Sequence, residues 1–562
     1  MKRPEAMAIG RLLSWTAALA TLAVTPWASY DPINVPKLAV IAVGGFVALG
    51  ALVTNRKSFL DPKYRLIQIF GLAFILDLIL VLLVSGTNTA QEFFGTFGRA
   101  TGLVAYVSLC FLLVTAVIAA TSTVISQFAW VLLGTGGLSI AYGVVQALDG
   151  DPIKWVNQYS PVIGFLGNPN FQSSFVGLSG VLAVSKLLAG SAKLITRGGY
   201  VAYLFLVLYV IKESHSQQGF LVFAGGTAVV GLIWISKSKL KALTIPAVIS
   251  GLIGFVLVTL GSLNSGPLAG LLYKESVTYR GDYWRAGWKM TVQHPFFGVG
   301  LDSFGDWYRR ARNVVATLRR GPDVTSNSAH NVIIDFSANG GFPLATIYLF
   351  MMSLVIVAAV RLVKRSKGFD PVVTGLIAVW IAYQAQSIIS LNQLGLAVWG
   401  WIISGLIIGF EINTRADSPE DPTKGFVKKG RSASDMATTK VGANTLVGMF
   451  IGLFIGLLVG VPSLVASSKF KSALESSDAQ VVEQAAYIWP LDPIRMGYVG
   501  DLLSQNKLEA QGLAVITAAV AKFPDEYGLW AILARMPTST AEQKAQAQRE
   551  MKRLDPHNPD LK

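Results

Sequence analysis

The residues with the most chemical potential crowd into one stretch. Residues 263–330 hold nine Lys or Arg against five Asp or Glu. The cations are Lys274, Arg280, Arg285 and Lys289, then Arg309, Arg310, Arg312, Arg319 and Arg320, and the stretch ends in His330-Asn331. An imidazole can take a proton from an acceptor hydroxyl near neutral pH. Arginine presents a planar fork that binds two phosphate oxygens at once. The cations together suit a phosphate or diphosphate, and the histidine could serve as a base there, although a lone histidine is more often structural. The 309–320 cluster is equally compatible with anionic lipid headgroups. For Arg280, followed by Trp284 and Trp288, the site reading is preferred. The two rings suit stacking on a sugar or an interfacial belt. His294, before Pro295, reads as shaping a turn, and His557, near the tail end, as solvated. Asp149-Gly150-Asp151 has the spacing of a metal–diphosphate handle, but Gly150-Asp151-Pro152 is ordinary turn chemistry. No metal and no cofactor are expected.

The elements that must hold this site are membrane helices. Of 562 residues, 52% are hydrophobic and 14% charged, against about 25% charged in soluble domains. Apolar runs of roughly 20 residues, each long enough to cross a bilayer, account for that deficit. The sequence predicts an all-α polytopic membrane protein with about twelve core spans and a thirteenth: 12–30, 37–54, 66–84, 101–120, 128–148, 171–189, 199–212, 219–236, 242–262, 343–360, 372–391, 395–412 and 443–466. The single cysteine, Cys110, falls in a span and reads as a small core side chain. The net charge of +15 lies mostly in short loops, which argues against nucleic acid. Alternate loops carry it, at Arg56–Arg65, Lys193 and Arg197, Lys237–Lys241 and Arg361–Lys367. The intervening loops hold little beyond Lys37, Arg99, Lys154 and Lys212. The positive-inside rule then sets a cytoplasmic N-terminus and puts residues 263–342 and the tail outside the cytoplasm.

Residues 1–412 are therefore expected to form the membrane core, with 263–342 as a large extracytoplasmic loop. A cytoplasmic linker over 413–440, a last span over 441–466 and a small helical domain over 467–562 follow. Leu491-Asp492-Pro493, Phe523-Pro524-Asp525 and Leu554-Asp555-Pro556 recur at spacings of 32 and 31 residues. That period resembles tetratricopeptide helix pairs, though a plain helical hairpin cap fits as well. Either way the tail suits docking of a protein partner rather than chemistry.

Four segments carry a resemblance to a known family. Ser328-Ala329-His330-Asn331 is followed by Gly341, and a span begins near Phe342. Arg280-x-x-x-Trp284 precedes His294-Pro295-Phe296-Phe297-Gly298-Val299-Gly300. Gly164-Phe165-Leu166-Gly167-Asn168-Pro169-Asn170 precedes the sixth span, and Gly98-Arg99-Ala100-Thr101-Gly102-Leu103 follows the third. Over roughly residues 10–410 the chain resembles the O-antigen ligase and polymerase superfamily of membrane glycosyltransferases.

The resemblance implies a metal-independent, inverting transfer of a glycan from an undecaprenyl-diphosphate carrier to an acceptor hydroxyl of a lipid, protein or glycan. This takes place at the outer face of the bacterial cytoplasmic (inner) membrane. His330 becomes the general base and Arg280 the group that holds the diphosphate. Arg99, Arg285, Asn331, Trp284 and Asn170 become candidates for binding diphosphate or sugar. The family often places an arginine where this chain has Gln217 and Gln218, so Lys212 and His215 are named as replacements. An acidic residue often follows the signature histidine by nine positions, where Asn339 stands here. Two other readings remain: a polymerase of the same superfamily, and a transporter or flippase of lipid-linked glycan. Asp77, inside the third span, is the main support for the latter.

Overall fold

The computed structural model describes residues 3–155, 160–190, 193–415 and 441–561. The expected linker over 413–440 lies almost entirely outside the described residues. Within them the chain is helical, with no strand. Among the described residues nine helices are long and apolar enough to cross a membrane, and the chain is a multi-pass membrane protein. Four more helices fall where spans were expected: Arg3–Leu22, Leu103–Ala119, Pro169–Leu187 and Pro371–Ser387. They are shorter or more polar, and the last three carry many buried residues.

The first and last spans end earlier than expected. The first helix ends at Leu22 rather than continuing to 30. Lys37, from the next helix, donates to the carbonyls of Thr21 (2.8 Å) and Ala23 (2.9 Å). A cation thus caps the helix C-terminus, where the backbone dipole favours it. The last span ends at Gly460, and Pro462 starts a separate helix, Pro462–Ser476.

Backbone proximity organises the bundle. Leu394–Asn413 lies deepest, and its Gly405 and Gly409 sit so close to Leu103–Ala119 that an added Cβ would meet the carbonyls of Leu113 and Val117. Its Trp399 is fully buried and donates to Thr21 Oγ1 at 2.7 Å. Ala443–Gly460 lays Gly448, Gly452, Gly456 and Gly460 along Asn34–Thr54, the small-residue spacing that lets membrane helices touch. A Cβ on Gly452 would stand 2.1 Å from the Phe46 carbonyl oxygen. Gly452→Leu is expected to cost about 1–3 kcal/mol by overpacking and to lower the thermal midpoint in detergent. An unchanged midpoint would remove this contact from the fold's support.

The tail is six helices, from Pro462–Ser476 to Ala541–Leu554, with a core of its own. Pro493–Gln505 packs on Glu509–Lys522, and Tyr527–Arg535 on Ala541–Leu554. Gly500 and Gly512 allow the close approach within the first pair.

Candidate functional site

The loop is built on one helix, Glu275–Gln293, which carries Arg280 and packs against Val332–Arg365. The second helix is broken at Gly341, where φ is 74°. The break receives the turn that begins at His294. Phe342 N donates to Pro295 O (2.8 Å), Val299 N to Ala338 O (2.8 Å) and Gly300 N to Asn339 O (3.1 Å). A Cβ on Gly341 would meet Phe296 and Pro295, and one on Gly298 would meet Ala338 O at 2.4 Å. Two of the sequence motifs are thus halves of one backbone joint. The kink at Gly341 leaves a helix starting near Phe342, where the span was expected, and the helical segment 332–340 precedes it.

His330 sits at the mouth of that helix with φ 52°, a left-handed conformation unusual for a residue with a side chain. Three ties hold it there. Ser328 Oγ accepts from His330 N (2.8 Å) and donates to Asp335 Oδ2 (2.7 Å), and Ala329 N donates to Asp335 Oδ1 (2.7 Å). Asn331 caps the helix, accepting from Ile333 N and Ile334 N. Its role is to aim the histidine's backbone. The imidazole packs 5.6 Å from the Tyr283 ring, centroid to centroid. Its two ring nitrogens carry no hydrogen bond among the described residues.

Three arginines converge on the imidazole. Burial first, then the charges of Arg99, Arg280 and Arg320, hold its pKa down to about 3. Arg99 is buried and donates to the backbone and side-chain oxygens of Asn327 (3.1 and 3.2 Å). Its Nε lies 3.9 Å from Asp302 Oδ1. Asp302 is itself held by Thr96 N (2.8 Å), Thr101 N (3.2 Å) and Thr101 Oγ1 (2.8 Å), which explains the Gly98–Leu103 motif. Arg320 donates to the Tyr283 hydroxyl and stacks over Tyr279, 4.5 Å from its centroid. Arg280 is half-buried, burial lowers its pKa, and it makes no ion pair or hydrogen bond among the described residues. Clustered cations with one left unpaired favour an anion of more than one charge.

Other candidates sit elsewhere. Arg285 is mostly exposed and ion-paired with Asp282, which also takes Arg319; it is committed to loop structure. Trp284 is half-buried among the loop's core residues, and its indole nitrogen has no hydrogen-bond partner. Asn170 follows the cap residue Asn168 and accepts from Ser216 Oγ (2.7 Å), fixing the start of Gln217–Lys237. Lys212 is exposed and pairs with Glu213 at 3.4 Å. His215 is exposed, with φ 55°. Arg320 instead supplies a further cation at His330. Asp151 is engaged by Tyr142, Gln146 and the Ile153 amide.

The 309–312 arginines fit neither earlier reading. They face the tail. Asp555 takes Arg312 at 2.6 Å and Arg309 at 3.0 Å, and Asp525 takes Arg310 at 2.9 Å. Two of the three recurring tail aspartates therefore grip the loop; the third, Asp492, caps Pro493–Gln505. Asp302 and Asp335 were not singled out by sequence reasoning, and Arg320 was read only as one of the 309–320 cluster. Asp335 had a signal, an acid in the first turn of an otherwise apolar helix, where the dipole favours it.

Residues 202–349 match the family model described as O-Antigen ligase, a segment that contains both Arg280 and His330. No curated protein matches the chain.

Proposed function

We propose that this chain, which carries an O-antigen ligase domain, transfers a glycan from an undecaprenyl-diphosphate donor to an acceptor hydroxyl on the extracytoplasmic face of the bacterial cytoplasmic membrane. The supporting observation is the convergence of Arg99, Arg280 and Arg320 on the unbonded imidazole of His330. The donor diphosphate lies among the arginines. The acceptor hydroxyl attacks the anomeric carbon opposite the diphosphate and gives its proton to His330. The bond from that carbon to the diphosphate oxygen breaks, and undecaprenyl diphosphate leaves with the electron pair. A single displacement inverts the anomeric centre. The guanidinium groups stabilise the charge that develops on the leaving oxygen, the task a metal performs elsewhere.

The depressed histidine pKa orders the reaction. In the free protein the imidazole is neutral above about pH 3, but a base that weak accepts a proton poorly. Bound diphosphate offsets the arginine charges and raises the pKa, so the base strengthens only after the donor arrives. The acid limb of kcat/KM, which reports the free protein, is expected to lie below that of kcat. A kcat/KM limb near the ordinary value of 6.5 that vanishes in a His330 variant would contradict this. His330→Ala is expected to lower transfer from a lipid-linked oligosaccharide, in reconstituted vesicles, by about 10²–10⁴-fold. Wild-type rates in that variant would remove His330 from the chemistry. Mass spectrometry of surface glycans from a deletion strain separates the two acceptor types. Chains accumulating on the carrier indicate a ligase; loss of long chains with single units still attached indicates a polymerase.

A further inference from the structure

A cavity of about 620 Å³ lies where the tail meets the loop side of the core, a volume within the range of small-molecule sites. Its lining combines aromatic rings, Phe94, Trp307 and Trp489, with polar groups from both domains, chiefly Asn88, Asp306 and Glu526. Trp489 is 64% exposed despite its ring contact with Phe94 at 5.4 Å. The side-chain nitrogen of Asn88 is buried with no hydrogen-bond partner, a donor without an acceptor. Asp306 accepts from Gln91 at 2.9 Å. Burial, then the charge of Glu526, pushes its pKa well up, and burial raises that of Glu526. A carboxyl pair of this kind offers both a donor and an acceptor.

We infer that this cavity is a saccharide subsite for glycan units beyond the reacting sugar. The apolar faces of a pyranose pack on flat rings, and its hydroxyls suit Asp306 and Glu526. A chain of polar contacts links the cavity's lining to the His330 site. Gln91 Nε2 donates to Asp302 O (3.2 Å) as well as to Asp306, and Asp302 pairs with Arg99. On this reading the next units of a chain that reacts at His330 lie beside Trp307 and Trp489. This inference rests on the transfer reaction proposed above.

Two measurements on the full chain in nanodiscs test it. The first is calorimetric titration with the oligosaccharide released by mild acid from the source cell's surface glycan. Trp489→Ala and Glu526→Gln are each expected to weaken binding by about tenfold, and unchanged binding in both overturns the subsite. The second compares transfer of long and single-unit glycans, varied first on the donor and then on the acceptor. Wild type is expected to favour the long chain on one side only, which identifies the source, and both variants are expected to bring that ratio toward one. Transfer with no length preference overturns the subsite and leaves the proposed reaction standing. Absence of all transfer overturns the reaction, while the titration still decides the subsite.

Discussion

Arg280→Ala is expected to lower kcat by about 10²–10³-fold, the cost of removing one preorganised group that stabilises a developing anion. The reason is its lack of commitments. Arg99 is spent partly on Asn327 and Asp302, and Arg320 on Tyr283 and Tyr279. Arg280 has no such partner, and burial already disfavours its charge. A half-buried, unpaired guanidinium is costly to the empty protein and is relieved when a diphosphate arrives. Arg280→Lys is expected to recover part of the rate, because a point charge remains but the two-oxygen fork does not. Arg285→Ala, five residues along the same helix, serves as the comparison. Arg285 is 60% exposed and paired with Asp282, so its loss is expected to change kcat by less than about threefold, as for other exposed ion pairs. Steady-state rates with a lipid-linked oligosaccharide decide the matter. Equal losses in the two variants would mean that loop integrity, rather than a diphosphate contact, underlies the Arg280 effect.

This contrast marks where the sequence was legible. Spans follow from runs of apolar residues, a property each segment carries by itself, and thirteen helices stand where thirteen runs lie. Motif order also puts His330 and Arg280 in one loop, where the charge of Arg280 acts on the imidazole. Which arginine does what was another matter. Arg280, Arg285, Arg309, Arg312 and Arg320 are alike in type and neighbourhood, and only folding assigns them. Asp282 withdraws Arg285 and Arg319; Asp555 withdraws Arg309 and Arg312. Asp282 and Arg285 stand three apart on one helix, but Asp555 lies 246 residues from Arg309, and no local pattern announces that pairing. The missing arginine at Gln217 and Gln218 illustrates the same limit. Its place in the sequence predicted a substitute nearby, at Lys212 or His215. Space brings Arg320 to His330 from a hundred residues further on.

Asp555→Ala is expected to disable the site from outside it. Asp555 is fully buried, and so is the Arg312 side chain it holds at 2.6 Å. Removing one member of a buried ion pair costs about 3–5 kcal/mol, because the other charge is left without compensation. Here two guanidinium groups lose their counter-charge. They also span the segment between Arg320 and His330. Arg312 donates to Val324 O (3.0 Å) and Pro322 O (2.8 Å), and Arg309 to Pro322 O (2.7 Å). When the arginines shift, residues 321–327 lose their anchor, and with them the Asn327 oxygens that hold Arg99. The variant is expected to show faster amide exchange at 321–327, a lowered thermal midpoint and a fall in kcat of at least tenfold. Replacing all three charges together, as Arg309→Met, Arg312→Met and Asp555→Leu, leaves no buried charge unpaired and is expected to regain much of the stability. Its kcat is expected to remain low, since the carbonyls of 322–324 still lack their donors. Wild-type exchange and turnover in Asp555→Ala would confine the tail to docking. Recovery of kcat in the triple variant would show that the arginines matter to stability alone, with no part in positioning the loop between Arg320 and His330.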